Sequence, residues 1–171
     1  MKKILCSLSL LCGVFAFSQS TTLIINNYSH RNLSGRLMAA NLSTSSGTPI
    51  IYAAPNAPYG SYTVPALLTD VEYPTLSTSG YSILPIDSWF VTDPVYGGNH
   101  AFNTPTIDTL TSMVEWGRFH FVAQDSAGNG VDSFVMGEPA AGGVYYALGV
   151  ETEAEWFTIG GSTYLQVYDY P

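Results

Sequence analysis

Lysine is missing from this 171-residue chain after Lys3, and cysteine is missing after Cys12. All four such residues (Lys2, Lys3, Cys6 and Cys12) fall within residues 1–18, which have the layout of an export signal. A basic start precedes an apolar stretch from Ile4 to Phe17, and Ala16 and Ser18 put small side chains at the two positions a signal peptidase inspects. The expected cut follows Ser18 and leaves Gln19 first. The apolar stretch is shorter than the roughly 20 residues a membrane span needs, so no membrane insertion is expected after cleavage. Ser9-Leu10-Leu11 before Cys12 lacks the small residue that lipid attachment to that cysteine requires.

What remains is a thiol-free chain of 153 residues, 19–171. It can form no disulfide, no thiolate zinc site and no thiol nucleophile. At that length one domain buries a sizeable core without covalent staples. Its strong bases are Arg31, Arg36 and Arg118, set against 13 acids, for a net charge of −10. That balance excludes nucleic acid and anionic lipid surfaces as partners, because nothing would neutralise their phosphates. It is compatible with Ca²⁺. Catalytic signatures are missing too. There is no G-x-S-x-G elbow, no H-E-x-x-H and no phosphate loop, and His30, His100 and His120 stand apart. A carboxylate pair for glycoside hydrolysis could be drawn only from scattered acids such as Asp108, Glu115, Asp125 and Asp132.

The clearest positive signal is Trp116 to Gly137. Phe119, Phe121 and Ala123 alternate with Arg118, His120 and Gln124, the period of a half-buried strand. Turn residues 125–130 follow, then a second strand from Val131. Further strands are expected over 21–27, 33–40, 50–54, 61–68, 86–92, 142–150, 156–159 and 163–168. The first two form a hairpin through the turn 28–32. Thr104, Pro105 and Gly117 frame a short helix, and Glu151 to Glu155 is an acidic linker. Many short strands with regular turn signals predict an all-β protein. The expected fold is a single antiparallel β-sandwich over 19–171, Ig-like or jelly-roll-like, with at most one short helix after the signal peptide.

Three places could carry chemistry. The closing hairpin has two registers. With a three-residue loop, Gly160-Gly161-Ser162, Phe157, Ile159, Leu165 and Val167 share an apolar face. Trp156, Tyr164, Gln166 and Tyr168 then form an exposed aromatic ladder of the kind on which sugar rings stack. A two-residue loop, Gly160-Gly161, flips one strand and breaks that ladder. Apolar sorting favours the first register. The loop 93–102 is expected to be long and flexible, and it offers Tyr96, Asn99 and His100 for a polar ligand or glycan. Asp125, Asn129 and Asp132 could direct oxygens at Ca²⁺. Ala127 and Met136, however, occupy positions where an EF-hand wants oxygens.

The segment FAFSQ followed by TTLIINNYSHRNLSGRLMAAN, the W-x-x-F-x-F hairpin and the closing Gly-turn hairpin resemble small secreted proteins of Bacteroidetes bacteria. The resemblance implies a secreted β-rich chain and no particular activity. The C-terminal STYLQVYDYP lacks the lysine-rich end associated with type IX secretion. The expected role is an exported, non-catalytic binding or surface-interaction module, in the periplasm or outside the cell, with a glycan or cell-surface partner. A self-assembling structural protein and a carboxylate-dependent hydrolase are the alternatives.

Overall fold

The computed structural model describes residues 22–54 and 61–170. The signal segment, its cut and the turn expected at 55–60 lie outside the described residues. Among the described residues, twelve strands form two sheets. β1 (Thr22–Asn27), β5 (Val71–Tyr73), β10 (Tyr146–Leu148), β11 (Thr152–Ile159) and β12 (Ser162–Asp169) make a five-stranded sheet, in the order β10-β11-β12-β1-β5. The second sheet contains β2 (Asn32–Ala40), β3 (Ile50–Ala53), β4 (Tyr62–Val64), β6 (Ser88–Thr92), β7 (Gly98–Ala101), β8 (Glu115–Gln124) and β9 (Gly130–Gly137). Its order is β7-β6-β3-β2-β8-β9, with β4 beside the first half of β2. The two sheets pack as an all-β sandwich.

The core lies between the sheets. Trp89, Trp116 and Trp156 are buried there with Tyr62, Tyr73, Phe119 and Phe121. The β8–β9 hairpin forms as the alternation predicts, with Phe119, Phe121 and Ala123 fully buried. Two tyrosines supply a polar link inside the core: the hydroxyls of Tyr62 and Tyr73 lie 2.7 Å apart, and that of Tyr73 donates to the Leu84 carbonyl.

Several local expectations are corrected. β1 and β2 do not form a hairpin. β1 instead runs parallel to β12, while β2 belongs to the opposite sheet. The cause is Asn27, which is fully buried and makes four hydrogen bonds. Its amide donates to the carbonyls of Arg31 and Pro65, both at 2.8 Å, and its oxygen accepts from the backbone N–H and hydroxyl of Ser29. This exhausts the side chain's capacity and pins an arch between the sheets. Pro65 ends β4 early, because it cannot donate to a ladder. The helix Pro105–Thr111 is the only α-helix among the described residues, and it stops before Gly117. Gly117 instead forms a bulge in β8, where the register to β2 slips between Met38 and Ala39. Of the expected strand 142–150, only Tyr146–Leu148 is strand, and the expected acidic linker is the first half of β11.

Candidate functional site

The closing hairpin adopts the register that apolar sorting disfavours. Thr158 pairs with Thr163, Phe157 with Tyr164 and Trp156 with Leu165, leaving a two-residue Gly160-Gly161 loop. Both glycines have positive φ, 62° and 83°, which gives a turn whose twist matches the flanking strands. Trp156 therefore points inward and is 1% exposed, so it is removed from the expected ladder. The physical reason is a choice between two faces of β11. Turning Phe157 and Ile159 inward would bury Glu153 and Glu155 with them, and buried unpaired carboxylates are costly. Turning Trp156 inward leaves only its indole N–H without a partner among the described residues. That costs about 1–3 kcal/mol, less than the ~5 kcal/mol that burying ~200 Å² of indole returns.

The outward face that results is aromatic, but with different members. Strand registers arrange it in three rows running across the strands. Leu148, Glu153 and Tyr168 form one row, which Tyr28 extends. Tyr146, Glu155 and Gln166 form the middle row, which ends at Asn26, buried and accepting from the Asp70 backbone N–H. Phe157, Tyr164, Ile24 and Glu72 form the third. Tyr28 stacks on Tyr168 at 5.1 Å and 15°, and Phe157 stacks on Tyr164 at 5.3 Å and 13°. Tyr164 and Tyr168 are four residues apart on one strand. The stacked pairs therefore stand about 13 Å apart as walls, with the polar middle row as the floor between them.

The floor and walls are joined by hydrogen bonds. The Tyr168 hydroxyl donates to the Gln166 side-chain oxygen, and the Tyr146 hydroxyl donates to Glu153 at 3.4 Å. Partial desolvation raises the Tyr146 phenol pKa, and the carboxylate charge of Glu153 adds to the effect. Tyr168 is raised in the same way, first by desolvation, then by Tyr28, Glu155 and Glu153. Both phenols thus stay protonated and can donate at neutral pH. Tyr146 is 54% exposed and Tyr28 43%, while Phe157, Tyr164, Gln166 and Tyr168 are half-buried. At one end of this face His30 pairs with Asp169.

The other two candidates do not assemble as expected. Residues 93–102 form a hairpin, not a long loose loop. Asp93 Oδ1 accepts from the backbone N–H groups of Val95 and Tyr96, and β7 then pairs with β6. His100 Nε2 donates to the Tyr96 carbonyl at 2.8 Å. His100 pairs with the buried Trp89 and Asn99 with Phe90, so His100 and Asn99 point to opposite sides of the sheet. Tyr96 packs partly against the core.

Of the three oxygen donors proposed for Ca²⁺, Asp125 and Asn129 share one turn and Asp132 is engaged elsewhere. Asp125 accepts from the backbone of Ala127 and Asn129 and from the Asn129 amide, closing its own turn. Asp132 reaches across to the other sheet. It accepts from the backbone N–H of Val150 at 2.6 Å, from those of Glu151 and Thr152 at 2.9 Å, and from the Thr152 hydroxyl at 2.9 Å. No group of three or more His, Cys, Asp or Glu side chains suited to a metal occurs among the described residues. Of the scattered acids, Glu115 and Asp125 lie at opposite ends of β8, about 30 Å apart.

Sequence reasoning missed Tyr28, Tyr146, Phe157, Glu153 and Glu155 as members of one face. The signal was present, because Glu153, Glu155 and Phe157 share the period of two. Compared with protein-family models, with curated proteins and with solved structures, the chain matches none.

Proposed function

We propose that this protein is an exported, non-catalytic binding module that takes up a glycan across the outer face of its five-stranded sheet. One observation carries the reading. Two stacked aromatic pairs, Phe157–Tyr164 and Tyr28–Tyr168, flank a polar row of Glu155 and Gln166. Apolar ring edges and faces suit the C–H surfaces of a pyranose, and the polar row suits its hydroxyls. Glu72, Glu153 and Glu155 face the same side with no arginine among them, which favours a neutral chain over a uronate polymer. The export reading places this encounter in the periplasm or outside the cell.

The test is a calorimetric titration of the purified protein with neutral β- and α-linked oligosaccharides. Tyr164→Ala and Tyr168→Ala each remove one ring from one wall. Each is expected to weaken binding about tenfold, or ~1.4 kcal/mol. Trp156 fluorescence reports that the fold is intact. If no neutral oligosaccharide binds, or if both variants bind as the parent does, the reading fails. Analysis of reducing ends in the same incubations tests hydrolysis.

A second reading, self-association, rests on an apolar stripe at one edge of this sheet. Tyr145, Tyr146, Leu148 and Val150 are 50%, 54%, 51% and 79% exposed. Monomer–dimer analysis by sedimentation, with Val150→Lys, outside the three rows, separates it from glycan binding.

A further inference from the structure

The opposite face of the sandwich carries the positive charge. Arg31 is paired with Glu151, but Arg36 and Arg118 have no ion pair among the described residues. Arg36 lies opposite His120, and Arg118 lies opposite Met38, all on the outward side of β2 and β8. Beside Arg118 is a cavity of about 480 Å³, within the size range of small-molecule sites. Its floor is Met38, Ala40 and Ile50, and Tyr52 stands at its side. The loop 42–47 walls it, and no carboxylate among the described residues lines it.

The lining specifies a ligand. Arg118 Nη1 donates to the Ala141 carbonyl at 2.7 Å, which fixes the guanidinium against the cavity. Its remaining N–H groups have no protein acceptor among the described residues. A guanidinium held in this way suits a carboxylate, which it can grip through two parallel hydrogen bonds. Two hydroxyls of the wall have the reverse polarity. The Ser43 hydroxyl donates to Asn41 Oδ1 at 2.6 Å, and the Thr44 hydroxyl to the Asn41 carbonyl at 3.2 Å. With their protons spent, these hydroxyls keep only acceptor lone pairs for a ligand. A ligand that satisfies both ends brings one anionic group and several O–H donors.

We infer that this cavity binds a small polyhydroxylated carboxylate of the sugar-acid class. It is a site separate from the aromatic face. One guanidinium in a protein of net charge −8 suits a monoanion better than a dianionic sugar phosphate.

The test is titration of the protein with glucuronate, glucose, acetate and glucose 6-phosphate, read by NMR or calorimetry. Glucuronate is expected to bind at least tenfold more tightly than glucose or acetate, and less tightly as salt rises. Arg118→Gln is expected to lose at least tenfold, and Arg118→Lys to recover part of it. Arg36→Gln, outside the cavity lining, is expected to change binding less than twofold. Ser45 lines the cavity from an exposed loop position, so Ser45→Phe fills the space without touching the sheet; it is expected to abolish binding. This variant keeps the test decisive if Arg118→Gln fails to fold. A free uronate and the uronate at the end of an oligosaccharide are distinguished by comparing the two ligands directly. Equal binding of glucose, tighter binding of glucose 6-phosphate, no binding of glucuronate, or unchanged binding by Ser45→Phe each overturns the inference. Tyr164→Ala is expected to leave glucuronate binding unchanged, so the two sites fail independently.

Discussion

Asp132 holds the two sheets together at one edge, and replacing it by asparagine should loosen that edge measurably. The carboxylate sits at the start of β9 and accepts four hydrogen bonds from residues 150–152, which lead into β11. Asparagine keeps one oxygen. Its amide must replace the other, and there it points N–H at N–H. Hydrogen bonds to a charged group contribute about 1.5–3 kcal/mol each. The carboxylate is only half-buried, so solvent screening reduces that figure. The expected cost is about 3 kcal/mol, a fall in Tm of roughly 6–12 °C for a chain of this size. The pH dependence supplies a second check. Partial burial would raise the Asp132 pKa, but the hydrogen bonds from Val150, Glu151 and Thr152 outweigh it and lower the pKa. A carboxylate with a lowered folded-state pKa stabilises the fold above its unfolded value of about 3.9, and that contribution is lost as pH falls through the folded value. The gap between parent and Asp132→Asn in urea denaturation should therefore be full at pH 6 and shrink below about pH 4. Gly149→Ala approaches the same clamp from the other side, because a Cβ there would lie 2.3 Å from Asp132 Cγ. A change under 0.5 kcal/mol in Asp132→Asn, or a gap that does not narrow in acid, would refute this account.

Other perturbations test the frame. A Cβ on Gly35 would lie 1.9 Å from the His120 carbonyl oxygen in the adjacent strand, so Gly35→Ala should cost at least about 3 kcal/mol by chemical denaturation. Tyr73→Phe leaves the Tyr62 hydroxyl and the Leu84 carbonyl without their shared partner, and should cost about 1–3 kcal/mol. Burial raises the phenols of both Tyr62 and Tyr73. A raised folded-state pKa means stability that is complete below the unfolded value of about 10 and is lost as pH climbs past it. Unfolding should therefore begin above about pH 10, and later in the Tyr62→Phe, Tyr73→Phe double variant than the parent's neutral-pH stability alone would suggest.

The sandwich was legible because its strongest signals are local. The Trp116–Gly137 hairpin needs only alternation and a glycine-rich turn, and both lie within one short segment. The arch after β1 was not legible. A turn at 28–32 with strands on either side looks like a hairpin unless the chain is known to bury Asn27, whose partner at Pro65 lies 38 residues away. The helix was read with its stop too late for a related reason. Gly117 serves a bulge against β2, a pairing that exists only once the sheet has formed.

The register of the closing hairpin is the most instructive error, because it decides what the outer face is made of. Apolar sorting weighed Phe157 and Ile159 against Trp156 and chose by count. It treated 151–155 as a linker, so Glu153 and Glu155 did not enter the comparison. Once β11 is extended back to Thr152, every odd position from 153 to 159 must share one side. Two glutamates then weigh against burying that side more than Phe157 and Ile159 weigh in favour. The even positions, Thr152, Ala154 and Trp156, become core. The acids that force Phe157 outward also become its neighbours, so the aromatic and acidic characters of that face have a single cause. Substituting both glutamates removes the constraint. Glu153→Val with Glu155→Val should make the two registers closer in energy, and partial exposure of Trp156 to a soluble quencher would show it. Unchanged shielding of Trp156 would mean that the Gly160-Gly161 turn alone sets the register.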